Sequence, residues 1–285
     1  MKFKAYLDLM KLRVVELLLI TTVPSIFLAS GGWPSIKLTL ATLIGGTLAA
    51  GSSNAFNMLI EKESDKLMQR TAKRPLSQGL VTETEVFLFA SLLAIISLVI
   101  FRIFTNTLAM VLTAAAITIY VLIYSILLKR RTAQNIVWGG IAGCMPVLIG
   151  FAAVKNSLPV AAWSFFLLIF FWTPPHFWAL AIKYKKDYAA AGIPMLPVVA
   201  PIKNVLGQMW FHTIFMLVFS YITIYCAKLP IWLYLIGFLL SLLFLGQMLM
   251  VTKNKRDQDA MRLFHGSITY LTLYSLFLVV GTLVK

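Results

Sequence analysis

Apolar residues run along this chain in nine stretches, at 14–32, 37–60, 86–104, 107–128, 136–154, 160–182, 208–227, 230–251 and 267–284. Each is close to the roughly 20 residues that a helix needs to cross the hydrocarbon of a bilayer. Polar residues collect in the short intervals between them, and no interval is long enough for a separate soluble domain. Backbone groups in lipid must be satisfied within the chain, which favours helices. The predicted fold class is therefore an all-α polytopic membrane protein, with nine transmembrane helices in one bundle and a single membrane domain over residues 1–285. The fifth stretch is the least regular, being rich in Gly and interrupted by Pro146.

The charges orient this bundle. Lys37, Arg102, Lys155, Lys228 and Lys285 fall on one side, and the other twenty Lys and Arg on the side of the N-terminus. Cytoplasmic loops carry the Lys/Arg excess, so the N-terminus is predicted inside and, with an odd number of spans, the C-terminus outside. All ten Asp and Glu also fall on or near the inner side, which the positive-inside rule does not require. One face carries the polar chemistry, and it is the predicted cytoplasmic one.

Composition agrees: 60% of residues are hydrophobic and 12% charged, against about 25% charged in soluble domains. A net charge of +15 would suggest nucleic acid in a soluble protein. Here the cations sit in short loops between apolar runs, so anionic headgroups or an anionic substrate are the expected partners and nucleic acid is not. Cys144 and Cys226 stand singly in apolar runs, which predicts no disulfide, zinc site or covalent haem. The opening MKFKAYLDLMKLR lacks the pattern of a cleavable signal, so the first span is expected to be retained.

Three stretches on the inner side carry candidate chemistry. At the end of the second span, Asn57, Glu61 and Asp65 recur every fourth residue. On a helix they share one face, about 6 Å apart per step. An amide and two carboxylates there suit Mg²⁺, a hard cation that takes oxygen ligands and shares its shell with phosphates. Arg70, Lys73 and Arg74 follow and could grip phosphate oxygens. The bland alternative is a solvated helix end.

At the end of the fourth span comes Lys129-Arg130-Arg131-Thr132-Ala-Gln134-Asn135, either a topology anchor or further positive charge for a metal-held anion. At the end of the sixth comes Phe171-Trp172-Thr173-Pro174-Pro175-His176-Phe177-Trp178. Adjacent prolines free backbone carbonyls and are expected to break the helix. His176 follows that break, and an ionisable group within a span is a functional candidate by default. Asp187, in the next loop, offers a third carboxylate. His212 and His265 have no partner spacing. Gly45-Gly46, Gly139-Gly140 and Gly143 are expected to allow close helix contact.

At these residues the chain resembles the UbiA-type intramembrane prenyltransferases, whose first signature is NxxxDxxxD followed by a basic segment. Within that superfamily it resembles the branch that farnesylates protohaem IX. The narrower likeness rests on Asp65-xx-Met68-x-Arg70-Thr71-xx-Arg74-Pro75, on Lys129-Arg130-Arg131-Thr132-x-Gln134-Asn135 and on Trp172-Thr173-Pro174-Pro175-His176-Phe177-Trp178-Ala179-Leu180. The run from Asp187-Tyr188 through Gly192-Ile193-Pro194-Met195-Leu196-Pro197 and the late Arg262-Leu-Phe264-His-Gly-Ser267-Ile-x-Tyr270-Leu also fit. Two positions depart from the pattern. Glu61 replaces the usual Asp, and Asp187 is followed four residues later by Ala191, so the second carboxylate pair is incomplete.

The resemblance implies farnesyl diphosphate and haem B as substrates, Mg²⁺ as cofactor and haem O as product, made at the cytoplasmic face of a prokaryotic plasma membrane. It implies Asn57, Glu61, Asp65 and Asp187 as catalytic and metal-binding residues. Arg70, Lys73, Arg74, Lys129 and Arg130 would bind diphosphate, and His176, Trp172 and Trp178 the haem acceptor. His176 could meet the iron, a propionate or a water. A haem A synthase or a terminal oxidase is the implied recipient of the product. The rival acceptor is a quinone precursor or another aromatic ring. A transporter, the rival of another class, is expected to carry polar residues on both faces.

Overall fold

The structure, a computed structural model, describes residues 2–67 and 71–285, which are helical with no strand among them. Arg70 lies outside the described residues. The elements are α1 (Lys2–Met10), α2 (Leu12–Ser30), α3 (Ile36–Ile60), α4 (Lys62–Leu67), α5 (Glu83–Phe104), α6 (Thr107–Leu128), α7 (Asn135–Lys155), α8 (Val160–Lys183), α9 (Lys185–Ala190), α10 (Leu196–Val199), α11 (Ile202–Cys226), α12 (Trp232–Asn254) and α13 (Asp257–Leu283). Among the described residues, α5, α6, α7, α8, α11, α12 and α13 are long and apolar enough to cross a membrane. The first two predicted spans become α2 and α3. In α3, Thr42, Ser52, Ser53, Asn54 and Asn57 turn inward. Large side chains such as Leu88, Ile95, Leu243 and Leu249 face outward. This is an integral membrane protein.

Consecutive long helices are neighbours, and α13 closes the circle by packing on α2 as well as on α8 and α12. The most buried helices are α7 and α8; α7 also packs on α2. Helix ends follow local chemistry. Thr82 and Glu85 form a capping box that starts α5, and the Asn106 side chain accepts from Ala109 N at 2.9 Å to start α6. Asn106 Nδ2 also donates to Ala152 O at 2.7 Å, tying that start to the end of α7.

The expected break at Pro174-Pro175 does not occur, and α8 runs through both prolines. The segment is buried in the protein, where ending a helix would orphan still more backbone groups. Thr173 lodges its hydroxyl on Ile169 O at 2.8 Å, so it adds no unpaired polar group beside the prolines.

The glycines divide into two kinds. A Cβ on Gly45 would stand 2.8 Å from the Phe101 ring, and one on Gly139 would stand 2.1 Å from the Tyr124 ring. These are close helix contacts, as expected. At Gly46 and Gly143 a Cβ would meet nothing within 4 Å, because both line an internal cavity. Their absent side chains make room for a ligand rather than for a helix.

The last ten residues of α6, Ile119–Leu128, form a π-helix whose Tyr120 and Tyr124 line that cavity. Gly139→Ala would drive Tyr124 out of place. Overpacking of this kind costs about 1–3 kcal/mol, so thermal unfolding in detergent should show a lowered Tm. An unchanged Tm would mean that the π-helix yields without strain.

Candidate active site

The cavity lies inside the bundle, lined by α2, α3, α6, α7 and α8 with contributions from the loops on the side of α4 and α9. Its polar end is built where α3 stops. Ile60 ends α3 and Lys62 begins α4, yet the helical bonds pass through the junction: Glu61 N donates to Asn57 O at 3.0 Å and Asp65 N to Glu61 O at 2.8 Å. The every-fourth-residue stack of Asn57, Glu61 and Asp65 therefore survives, and all three are buried and line the cavity.

Three cations meet this stack. Lys129 pairs with Glu61, and Arg74 pairs with Asp65 while its guanidinium also stands 3.7 Å from Glu61. Lys11 donates to Asn57 Oδ1 at 3.2 Å. Burial alone would raise the Glu61 carboxyl, but Lys129, then Lys11 and Arg74, override it and hold the group below its ordinary value. Glu61 is thus a carboxylate at neutral pH. Burial pushes the Lys11 ammonium down to about 7, with repulsion from Arg74 and Lys129 in the same direction and attraction to Glu61 and Asp65 against it.

Lys129 and Arg74 are set by local structure. The wide π-turn carries Lys129 N to Tyr124 O at 2.9 Å, and Ser125 on it accepts from Asn57 Nδ2 at 3.0 Å. Buried Asn135 holds the following turn through Lys129 O at 3.2 Å and Thr132 O at 2.8 Å. Thr71 donates to Asp65 O at 2.9 Å and so anchors the loop that returns Arg74 to the stack.

Farther along the cavity stands His176, flanked by Trp172, Thr173 and Phe177. Trp172 stacks on its ring at 4.3 Å and Phe264 at 4.5 Å. Beyond lie Gly143, Pro146 and Ile149 on α7 and Thr42 and Gly46 on α3. Thr42, Thr22 and Thr113 all return their hydroxyls to carbonyls of their own helices at 2.8 Å, so this deep end presents methyl groups.

The remaining predicted site residues lie outside the cavity lining. Lys73 and Arg130 are exposed. Asp187 is half-buried on α9, one residue before the cavity-lining Tyr188. Trp178 is buried against His212, on which its ring sits edge-on at 5.3 Å. Among the described residues no three of His, Cys, Asp and Glu gather as a metal site, so a four-ligand set with Asp187 is not assembled here. The oxygens of Asn57, Glu61 and Asp65 remain a fitting donor set for a hard cation that keeps substrate oxygens in its shell.

Sequence reasoning missed Lys11, Ser125 and the aromatic pair Tyr120 and Tyr124. In the sequence Lys11 reads only as a charge that orients the bundle, and nothing in its neighbours marks it as buried. The late run containing Ser267 carries a resemblance but assigns Ser267 no role.

Comparison with known proteins identifies the family. A family model described as the UbiA prenyltransferase family matches residues 18–276. A curated relative from Frankia alni, named protoheme IX farnesyltransferase, is 46% identical over 287 residues, covering 99% of this chain and 99% of its own. One of the same name from Streptomyces coelicolor is 44% identical over 296 residues, covering 100% and 92%. Among solved structures, one concerning a digeranylgeranylglyceryl phosphate synthase superposes with a TM-score of 0.84 at 19% identity, covering 100% of this chain and 99% of the other. A UbiA homologue from Archaeoglobus fulgidus, solved bound to DMAPP and Mg²⁺, superposes with a TM-score of 0.70 at 17% identity, covering 96% and 99%. Those structural likenesses speak for the fold, and the end-to-end sequence matches speak for kinship. By both the profile over residues 18–276 and these relatives, the chain belongs to the UbiA prenyltransferase family.

Proposed function

We propose that this prenyltransferase moves the farnesyl group of farnesyl diphosphate onto a vinyl group of haem B, with addition of water, and releases haem O. The observation that carries the reading is one cavity lined by two kinds of group: a carboxylate stack ringed by cations, and a histidine between aromatic rings. The full-length relatives of the same name support this acceptor over a quinone precursor. We place the reaction at the cytoplasmic face of a prokaryotic plasma membrane, in a single domain of nine spans with the N-terminus inside.

The chemistry begins with heterolysis of the allylic C–O bond, which leaves a delocalised carbocation and an anionic diphosphate. Asn57, Glu61 and Asp65 would hold Mg²⁺, which supplies Lewis-acid neutralisation of the leaving group when bound. Asp187 stays outside that set. Arg74 and Lys129 supply fixed positive charge where the diphosphate departs, with Lys11 adding its charge when protonated, and preorganised charge of this kind is the largest single lever on such a barrier. Lys73 and Arg130, exposed outside the cavity lining, draw the anionic substrate in, and Arg70, outside the described residues, is assigned the same task from its place in the sequence. The Tyr120 ring, which lines the cavity, stabilises the cation, while the Tyr124 ring already carries Lys129 Nζ 5.6 Å from its centroid. The terminal vinyl carbon of haem attacks C1 of the farnesyl cation, the positive charge moves to the carbon next to the porphyrin, and water adds there with loss of a proton. Trp172 and His176 line the acceptor's side, with Trp178 behind them.

Purified protein incubated with haem B, farnesyl diphosphate and Mg²⁺ should yield haem O by extraction and mass analysis, and EDTA should abolish it. Folded protein that prenylates a quinone precursor under these conditions, and leaves haem B unchanged, would overturn the assignment.

A further inference from the structure

Resting on the haem reading above, the geometry points to Ser267 as a positioning residue that fixes one tautomer of His176, and to His176 Nε2 as the axial ligand of the iron of haem B. The Ser267 hydroxyl has one proton, and it donates it to Phe264 O at 2.6 Å. At its other contact, 2.7 Å from His176 Nδ1, the same oxygen must accept. Nδ1 therefore carries the proton. In the neutral ring this leaves the lone pair on Nε2, in a residue that lines the cavity.

The ring itself is clamped. Trp172 and Phe264 lie nearly parallel to it, at interplanar angles of 17° and 23°, and two rings stacked that closely must occupy its two faces. Phe177 adds an edge contact at 4.9 Å. Trp172 Nε1 donates to Ser267 O at 2.9 Å, so one residue of α13 anchors both the imidazole and one of its stacking partners. Only the edge of the imidazole is left for a ligand, and an in-plane lone pair is what a metal takes.

The tautomer discriminates among ligands. An ionised propionate only accepts hydrogen bonds and finds no donor at Nε2. A fixed water needs two to four polar partners, whereas the rings of Trp172 and Phe264 cover the two faces of the imidazole and Thr173 has committed its hydroxyl to Ile169 O. Iron fits: histidines that bind metal commonly donate their other ring N–H to a partner that sets tautomer and orientation, and imidazole is a standard axial ligand of haem. His212 and His265 are not in the cavity lining and do not compete.

The test uses the full-length protein in detergent with ferric haem B and no prenyl donor, read by optical absorption and electron paramagnetic resonance. The parent should show a histidine-ligated ferric haem. His176→Gly should lose that signature and regain it with added imidazole. Ser267→Ala should weaken haem binding by about 10- to 100-fold and alter the ligand-field signals, and Ser267→Thr, which keeps the hydroxyl, should restore both. A parent-like spectrum in His176→Gly overturns the iron assignment, and parent-like signals in Ser267→Ala overturn the positioning role. Haem O formed by a parent whose haem signals ignore His176 sinks this inference alone; a parent that neither binds haem B nor makes haem O sinks the proposed function itself.

Discussion

Asp65→Asn should lower the rate of haem O formation by about 100- to 1000-fold, the loss seen when one preorganised polar group is removed from a developing charge. The substitution keeps the shape of the side chain and removes its charge. Two effects then combine at the polar end of the cavity: a metal-binding oxygen is weakened, and the Arg74 guanidinium loses its main partner. Arg74 still stands 3.7 Å from Glu61, and the bond from Thr71 goes to the Asp65 carbonyl, which the substitution leaves in place. The loop should therefore hold, and the loss should fall on turnover rather than on fold. Single-turnover rates at saturating haem B and farnesyl diphosphate, beside Tm in the same detergent, separate the two. A variant with a parent-like Tm and a rate within about threefold of the parent would remove Asp65 from the chemistry.

Much of this molecule is visible in the one-dimensional pattern. The spacing of Asn57, Glu61 and Asp65 predicted a shared face, and it survives the junction between α3 and α4 because the backbone bonds run through Glu61. Lys129 was legible only as part of a basic cluster. What selects it over its neighbour Arg130 is the π-turn and the grip of Asn135, both of which depend on a helix geometry that no apolar period reports. Lys11 was invisible for a related reason: burial of a cation near the chain start depends on which helices come to surround it. The prolines of α8 misled because local propensity was read without the surrounding protein that holds the helix together. Trp178 shares a motif with His176 but faces His212 instead of the cavity. Two positions apart on a helix is about 200° of turn, so both could not line one wall.

Binding of Mg²⁺ and binding of the prenyl diphosphate should be mutually reinforcing, each strengthening the other at least tenfold. Each side chain offered to a metal already has a basic group upon it: Lys129 on Glu61, Arg74 on Asp65 and Lys11 on Asn57. A divalent ion arriving alone must displace those groups and sit among their charges. A diphosphate arriving alone satisfies the three cations but leaves Glu61 and Asp65 facing an anion. When both arrive, the cations turn to the diphosphate oxygens and release the carboxylates to the metal, so neither penalty remains. A tenfold mutual effect is about 1.4 kcal/mol, within the usual range for coupled sites, and linkage requires it to be equal in both directions. Mn²⁺ titrated into the protein and followed by electron paramagnetic resonance, with and without a non-reactive farnesyl diphosphate analogue, measures the coupling once the analogue's own affinity for the metal is subtracted. Lys129→Met gives the sharper result, because the two affinities should move in opposite directions. Glu61 loses its competitor, so metal alone binds more tightly, while the analogue alone loses a counter-charge and binds more weakly. Metal and analogue binding independently, or both weakened together in Lys129→Met, would mean that these ion pairs hold the fold and do not exchange partners during the reaction.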